Sequence, residues 1–196
     1  MKKRIEYISP EEFEQLMKAV KKKKDKELEV AMLLGFGSGL RISEIIGFQR
    51  KFKHKTDKKT GILTKTPDDS KIPPLTADRI DLDKHQIRID DAKGGKWRIA
   101  PTSPALKPEH LKLLPLKVKR RTLQNRFDAL CKKILNKKMS FHILRYGFGN
   151  YCVNVKKLPI TMVQGFMGHS SVAVTGVYAK ANPEDAINAY WKGLGE

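Results

Sequence analysis

The alternation of apolar and polar positions opens the chain with a helix. In "ISPEEFEQLMKAV", Phe13, Leu16, Met17 and Val20 recur at the three- and four-residue spacing of one helical face. The start signals stand just ahead of them: Ser9 as N-cap, Pro10 at the first helical position and Glu12 completing a capping box. A second helix is predicted from about Leu28 to Phe36. It runs into "GSGLRISEIIGF", where Gly37 and Gly39 make a tight turn into a third helix with Arg41 at its start.

From Gln49 to Pro74 the periodicity disappears among Lys, Thr, Asp and Pro, which predicts an exposed basic loop or insertion over 49–74. The short alternating runs "RIDLD", "QIRID" and "WRIAP" then predict a small three-stranded antiparallel sheet, with Gly94-Gly95 in a hairpin turn flanked by Lys93 and Lys96. Beyond it the pattern returns to helix. Leu123, Phe127, Leu130, Cys131, Ile134 and Leu135 share one face, Ser140 is placed to cap "FHILRYGFGNYCV", "PITMVQGFM" is a short helix and "PEDAINAYWKGL" a final one. The expectation is an α+β domain, mainly helical with one small sheet, occupying residues 1–196 as a single unit.

Charge changes this picture more than any other bulk property. The 196 residues carry 40 Lys and Arg against 21 Asp and Glu, a formal charge of +19. The basic residues cluster at Lys21 to Lys24, Lys51 to Lys59 and Lys117 to Arg121, which favours nucleic acid as partner over a merely solvated lysine-rich surface. No apolar run is long enough to span a bilayer and the N-terminus lacks the apolar stretch of a signal peptide, so a cytoplasmic protein is expected. Cys131 and Cys152 sit among apolar residues and read as buried free thiols.

In "FHILRY", His142 and Arg145 are three apart and share a helical face, while Ile143, Leu144 and Phe148 can point to the core. An Arg and a His at a helix start suit an anionic oxygen, although a surface pair has the same spacing. Taken singly, Arg41 reads equally as a helix cap, Lys93 as a solvated hairpin residue, His169 as a turn histidine and Tyr178 as a half-buried aromatic.

Their order carries more. "GLRISEI" (39–45), "AKGGKWRIAP" (92–101), "HILRY" (142–146) and "MGHSSVAVTGVY" (167–178) resemble, in sequence, the G-L-R-x-S-E, G-K-G-x-K-x-R-x-x-P, H-x-L-R-H and L-G-H-S-S-x-x-T-x-x-Y blocks of tyrosine recombinases, the phage-integrase and Xer group. The resemblance covers nearly the whole chain as that family's catalytic domain, with its DNA breaking-rejoining fold. It implies that Arg41 and Arg145 hold the nonbridging oxygens of the scissile phosphate, that Lys93 is the hairpin lysine, that His142 and His169 are the active-site histidines and that Tyr178 is the nucleophile. It also implies double-stranded DNA as partner, a tetramer on that DNA, and no cofactor or metal.

The chemistry calls for these residue types independently. Planar guanidinium forks neutralise the charge on a pentavalent phosphorus better than ammonium groups do. A phenol with a pKa near 10 is a poor nucleophile at neutral pH and needs a base, for which His142 is the candidate. The 5′-oxygen leaving group needs a proton, which Lys93 on its hairpin can supply, and His169 is suited to donate a hydrogen bond to a phosphate oxygen.

Departures from the pattern are Tyr146 for the second His of H-x-L-R-H, Lys180 for a His two beyond the Tyr, and the long stretch from Phe48 to Pro74. Members of the family usually carry an N-terminal core-binding domain that has no counterpart here, so the chain is expected to be either a fragment of a longer integrase or a minimal single-domain version, the fragment being preferred. The lysine-rich composition is compatible with an archaeal or thermophilic source, a viral or plasmid-borne element among them.

Three rivals remain at this level. A metal-dependent nuclease would use Asp68 and Asp91 to hold Mg²⁺ beside Lys93, but leaves Arg41, His142, Arg145, His169 and Tyr178 without a role. A type IB topoisomerase would share the phosphotyrosine chemistry. A non-catalytic DNA-binding module would have no need of the full residue set.

Overall fold

The computed structural model describes residues 7–49, 52–56, 60, 63–67, 71–90 and 97–168. It begins with α1 (Pro10–Lys22), whose capping box forms as the sequence predicts: the Glu12 N–H donates to Ser9 Oγ at 3.2 Å and the Ser9 N–H to Glu12 Oε2 at 3.1 Å. Leu16, Met17 and Val20 are buried, and Phe13 stacks on Phe36 of the next helix with ring centroids 4.1 Å apart.

That helix, α2 (Lys26–Gly37), is capped by Asp25 and buried continuously from Leu28 to Phe36. A helix apolar on all sides belongs at the centre of a fold, and α2 packs against α1, α5 (Arg120–Leu135), α6 (His142–Asn150) and the short α3 (Ile42–Ile46). Its one buried acid, Glu29, accepts from Lys26 Nζ at 3.1 Å and lies 3.7 Å from His110 Nε2, while His110 Nδ1 accepts the Lys107 N–H at 2.9 Å. His110 belongs to α4 (Pro108–Leu111).

Leu123, Phe127, Leu130 and Cys131 form the buried face of α5, with Ile134 and Leu135 packed beside the core. Both cysteines are buried and free, and burial pushes each thiol up to about 12. α6 passes without a break into a π-helical turn, Tyr151–Val155, and α7 (Ile160–Met167) follows. Phe148, Cys152, Val163 and Met167 make a small second core that fixes α7 against α6.

The predicted sheet is present as β5 (Ile80–Asp81), β6 (Gln86–Asp90) and β7 (Trp97–Pro101), antiparallel in the order β5-β6-β7. Ile87 and Ile89 pair with Ala100 and Arg98, so all four share the inward face. The Gly94-Gly95 turn lies outside the described residues, as does the predicted final helix.

Two expectations need correction. The 49–74 stretch is not simply a loop: β1 (Phe48–Gln49) pairs with β4 (Lys71–Ile72), and β2 (Phe52–Thr56) pairs with β3 (Leu63–Pro67) in register from Phe52↔Pro67 to Thr56↔Leu63. The strand sequences FKHKT and LTKTP of this β2–β3 ribbon carry no apolar alternation. Its Thr-rich strands form pairs that a search for hydrophobic period passes over. Ser140 does not cap α6 with its side chain. The helix begins one residue later than that cap requires, at His142 with Phe141 as its N-cap in αR geometry, and the Ser140 carbonyl accepts the Ile143 N–H at 3.1 Å instead.

Candidate functional site

The turn after α2 places the first site residue. Gly39 takes φ +68°, and a Cβ there would stand 2.4 Å from Phe148 Cδ1, so this position requires glycine on both counts. The turn delivers Arg41 in extended conformation as the N-cap of α3. Its backbone N–H donates to Glu44 Oε2 at 2.7 Å and its Nη1 to Glu44 Oε1 at 2.8 Å. The first bond is the reciprocal half of a capping box, with a glutamate reaching back from the third helical position.

Arg145 projects from α6 and is 1% exposed. Its Nη1 donates to the Gly39 carbonyl at 2.6 Å and its Nη2 to the Met167 carbonyl, and Nη1 stands 3.9 Å from Glu44 Oε2. A buried guanidinium needs oxygen partners and a counter-charge. Here the partners are the Arg41 turn and the end of α7, and the counter-charge is Glu44.

Sequence reading gave no role to two members of this cluster, Glu44 and Arg98, although both fall within the quoted blocks GLRISEI and AKGGKWRIAP. Arg98 on β7 donates from Nη1 to Glu44 Oε1 at 3.0 Å, from Nη2 to Oε2 at 2.9 Å and from Nε to the Phe166 carbonyl at 2.9 Å. Glu44 is therefore a nearly buried carboxylate facing three guanidiniums. Burial pushes its carboxyl upward, but the Arg98 hydrogen bonds and the charges of Arg98, Arg41 and Arg145 outweigh this and hold it below the usual range. Both residues left a trace in the sequence. Glu44 stands at capping-box spacing from Arg41, and Arg98 interrupts the inward, apolar positions of its strand.

His142 opens α6, solvent-accessible, with its ring edge-on to Tyr146 at 4.8 Å. Partial desolvation, then the charges of Arg145 and Arg41, lower its pKa against a smaller opposing effect of Glu44. The imidazole is thus neutral at neutral pH, the form that accepts a proton.

Of the six residues singled out in the sequence, the structure brings Arg41, His142 and Arg145 together. Lys93, His169 and Tyr178 lie outside the described residues, as do Asp68 and Asp91 of the nuclease alternative. The elements that lead to two of them end at the cluster: β7 starts at Trp97, four residues beyond Lys93, and α7 closes through Gly168, next to His169. Three guanidiniums against one carboxylate leave a surplus of positive charge at a surface that Arg41 and His142 reach, a geometry suited to a phosphodiester.

The sequence profile of the phage integrase family matches residues 6–185. No curated protein matches the chain by sequence. Among solved structures, the chain is similar to XerA recombinase (TM-score 0.63, 22% identity, 96% of this chain and 65% of that one). It is also similar to XerH site-specific recombinase bound to its difH substrate (TM-score 0.62, 17% identity, 96% and 54%). The catalytic domain of bacteriophage HP1 integrase matches over nearly its full length (TM-score 0.61, 16% identity, 94% of each chain). The chain thus spans 65% and 54% of the two Xer chains. No helix among the described residues is long and apolar enough to cross a membrane.

Proposed function

Because the chain belongs to the phage integrase family, we propose that it is the catalytic part of a site-specific DNA recombinase, cutting and rejoining strands through a 3′-phosphotyrosine link. The observation that carries this reading is the meeting of Arg41, His142 and Arg145 around the single carboxylate of Glu44.

In this mechanism the scissile phosphate enters beside Arg41, the most accessible of the three guanidiniums at 37% side-chain exposure. Arg41 binds a nonbridging oxygen through its planar fork. Arg145 adds its positive charge from below, and takes a direct contact where one of its carbonyl partners gives way. Neutral His142 accepts the Tyr178 proton as the phenolic oxygen attacks phosphorus, and the 5′-oxygen leaves with a proton from Lys93. His169 hydrogen-bonds a phosphate oxygen. The bond energy is kept in the phosphotyrosine, so a 5′-hydroxyl from a second strand reseals the backbone without a nucleotide cofactor. The partner is double-stranded DNA, and strand exchange between two duplexes calls for a tetramer.

The test is a nicked suicide duplex incubated with the protein in EDTA. A covalent protein–DNA adduct that Tyr178→Phe abolishes supports the reading. No reaction in EDTA, with cleavage to free ends once Mg²⁺ is supplied in excess, supports the nuclease instead. Joining of strands between two duplexes separates a recombinase from a type IB topoisomerase.

A further inference from the structure

We propose that Arg98 is a positioning residue that locks the Arg41 helix, the strand following the Lys93 turn, and the last turn of α7 ahead of His169 into one geometry. The proposal rests on the recombinase reading and adds a residue that touches neither DNA nor the reacting atoms.

The guanidinium is used on every side. Nη1 and Nη2 take the two oxygens of Glu44 in parallel, and Nε turns the remaining edge to the Phe166 carbonyl. Such a set needs a planar fork, because an ammonium has no rigid donor pair to match a carboxylate while serving a third acceptor at an angle. The stem matters as well. Gly168 closes α7 at φ +59°, and a Cβ there would lie 2.8 Å from Arg98 Cδ, so the turn that leads into His169 rests directly on the Arg98 side chain.

The contact also sets the state of Glu44, which is 6% exposed and faces Arg41, Arg98 and Arg145, with His142 coupled to the same charges. Without Arg98, the carboxylate keeps Arg41 at 2.8 Å and Arg145 at 3.9 Å but loses two hydrogen bonds. Desolvation then drives its protonation upward in pH, and protonated Glu44 releases Arg41. Loss of Arg98 therefore bears on chemistry in a pH-dependent way, which a purely mechanical defect does not reproduce.

The experiment compares wild type, Arg98→Met, Arg98→Lys and the double variant Arg98→Met with Glu44→Gln. Amide hydrogen exchange is followed over 38–46 and 160–168, and adduct formation on the suicide duplex is followed across pH at saturating DNA. We expect Arg98→Met to speed exchange in both segments and to slow adduct formation by about 100-fold at pH 7. DNA affinity should stay within about threefold, since no phosphate contact is removed. The deficit should deepen as pH falls, and Glu44→Gln in the double variant should abolish that dependence. Arg98→Lys should recover part of the rate, and carries the same comparison if Arg98→Met does not fold. Unchanged exchange in both segments, or a deficit that is equal at every pH, overturns the proposal. A wild type that forms no adduct overturns the recombinase reading instead, and the exchange comparison still decides the role of Arg98.

Discussion

Arg41 gives Glu44 two hydrogen bonds, one from its backbone N–H at 2.7 Å and one from its guanidinium at 2.8 Å, so the carboxylate fixes both the start of α3 and the direction of the side chain. Glu44→Gln removes the negative charge from among three guanidiniums. Breaking a buried ion pair from one side costs about 3 kcal/mol, to be measured by urea denaturation. Adduct formation should fall together with stability, since Arg41 loses its anchor.

The two site arginines should differ under the same substitution. Arg145 serves two carbonyls from the interior, and Lys cannot reach both from one ammonium position. Arg145→Lys is therefore expected to lower both the melting temperature and cleavage. Arg41, more exposed, has its loss confined to chemistry: Arg41→Lys should reduce cleavage by about 100-fold while shifting stability by less than about 1 kcal/mol. Thermal melts beside single-turnover assays separate the two.

The turn itself gives a backbone prediction. Gly39→Ala would impose a left-handed conformation on an L-residue and drive a Cβ into the Phe148 ring. A cost of at least about 2 kcal/mol is expected, read as a lowered denaturation midpoint.

His142 fixes the pH behaviour. Its pKa in the folded protein lies below the ordinary 6.5. Its stabilising contribution is therefore complete above 6.5 and is lost as pH falls through the folded value. As the proton acceptor, it should give the adduct-formation rate an acid limb centred below 6.5, and His142→Gln should lower the rate and flatten that limb. A limb centred above 6.5 would contradict the assignment.

What was legible in the sequence is what local rules dictate. The Ser9 capping box, the α5 face from Leu123 to Cys131 and the alternation of Ile87 and Ile89 each depend on near neighbours and appear as predicted. The pairing of Phe52–Thr56 with Leu63–Pro67 escaped because FKHKT and LTKTP carry no apolar alternation, and the Ser140 cap failed because the helix starts beyond its reach. Arg41, His142 and Arg145 were marked by family blocks. Glu44 and Arg98 stand in the same blocks but drew no role there, since their partnership joins a helix start to a strand 54 residues away and exists only once both are folded.

The central claim is that the cationic cluster serves one phosphate attacked by Tyr178. The most direct test is tandem mass spectrometry of the suicide-substrate adduct after nuclease and protease digestion. The account predicts a nucleotide 3′-phosphate carried on Tyr178. Attachment at another residue, or attachment through a 5′-phosphate, would contradict it.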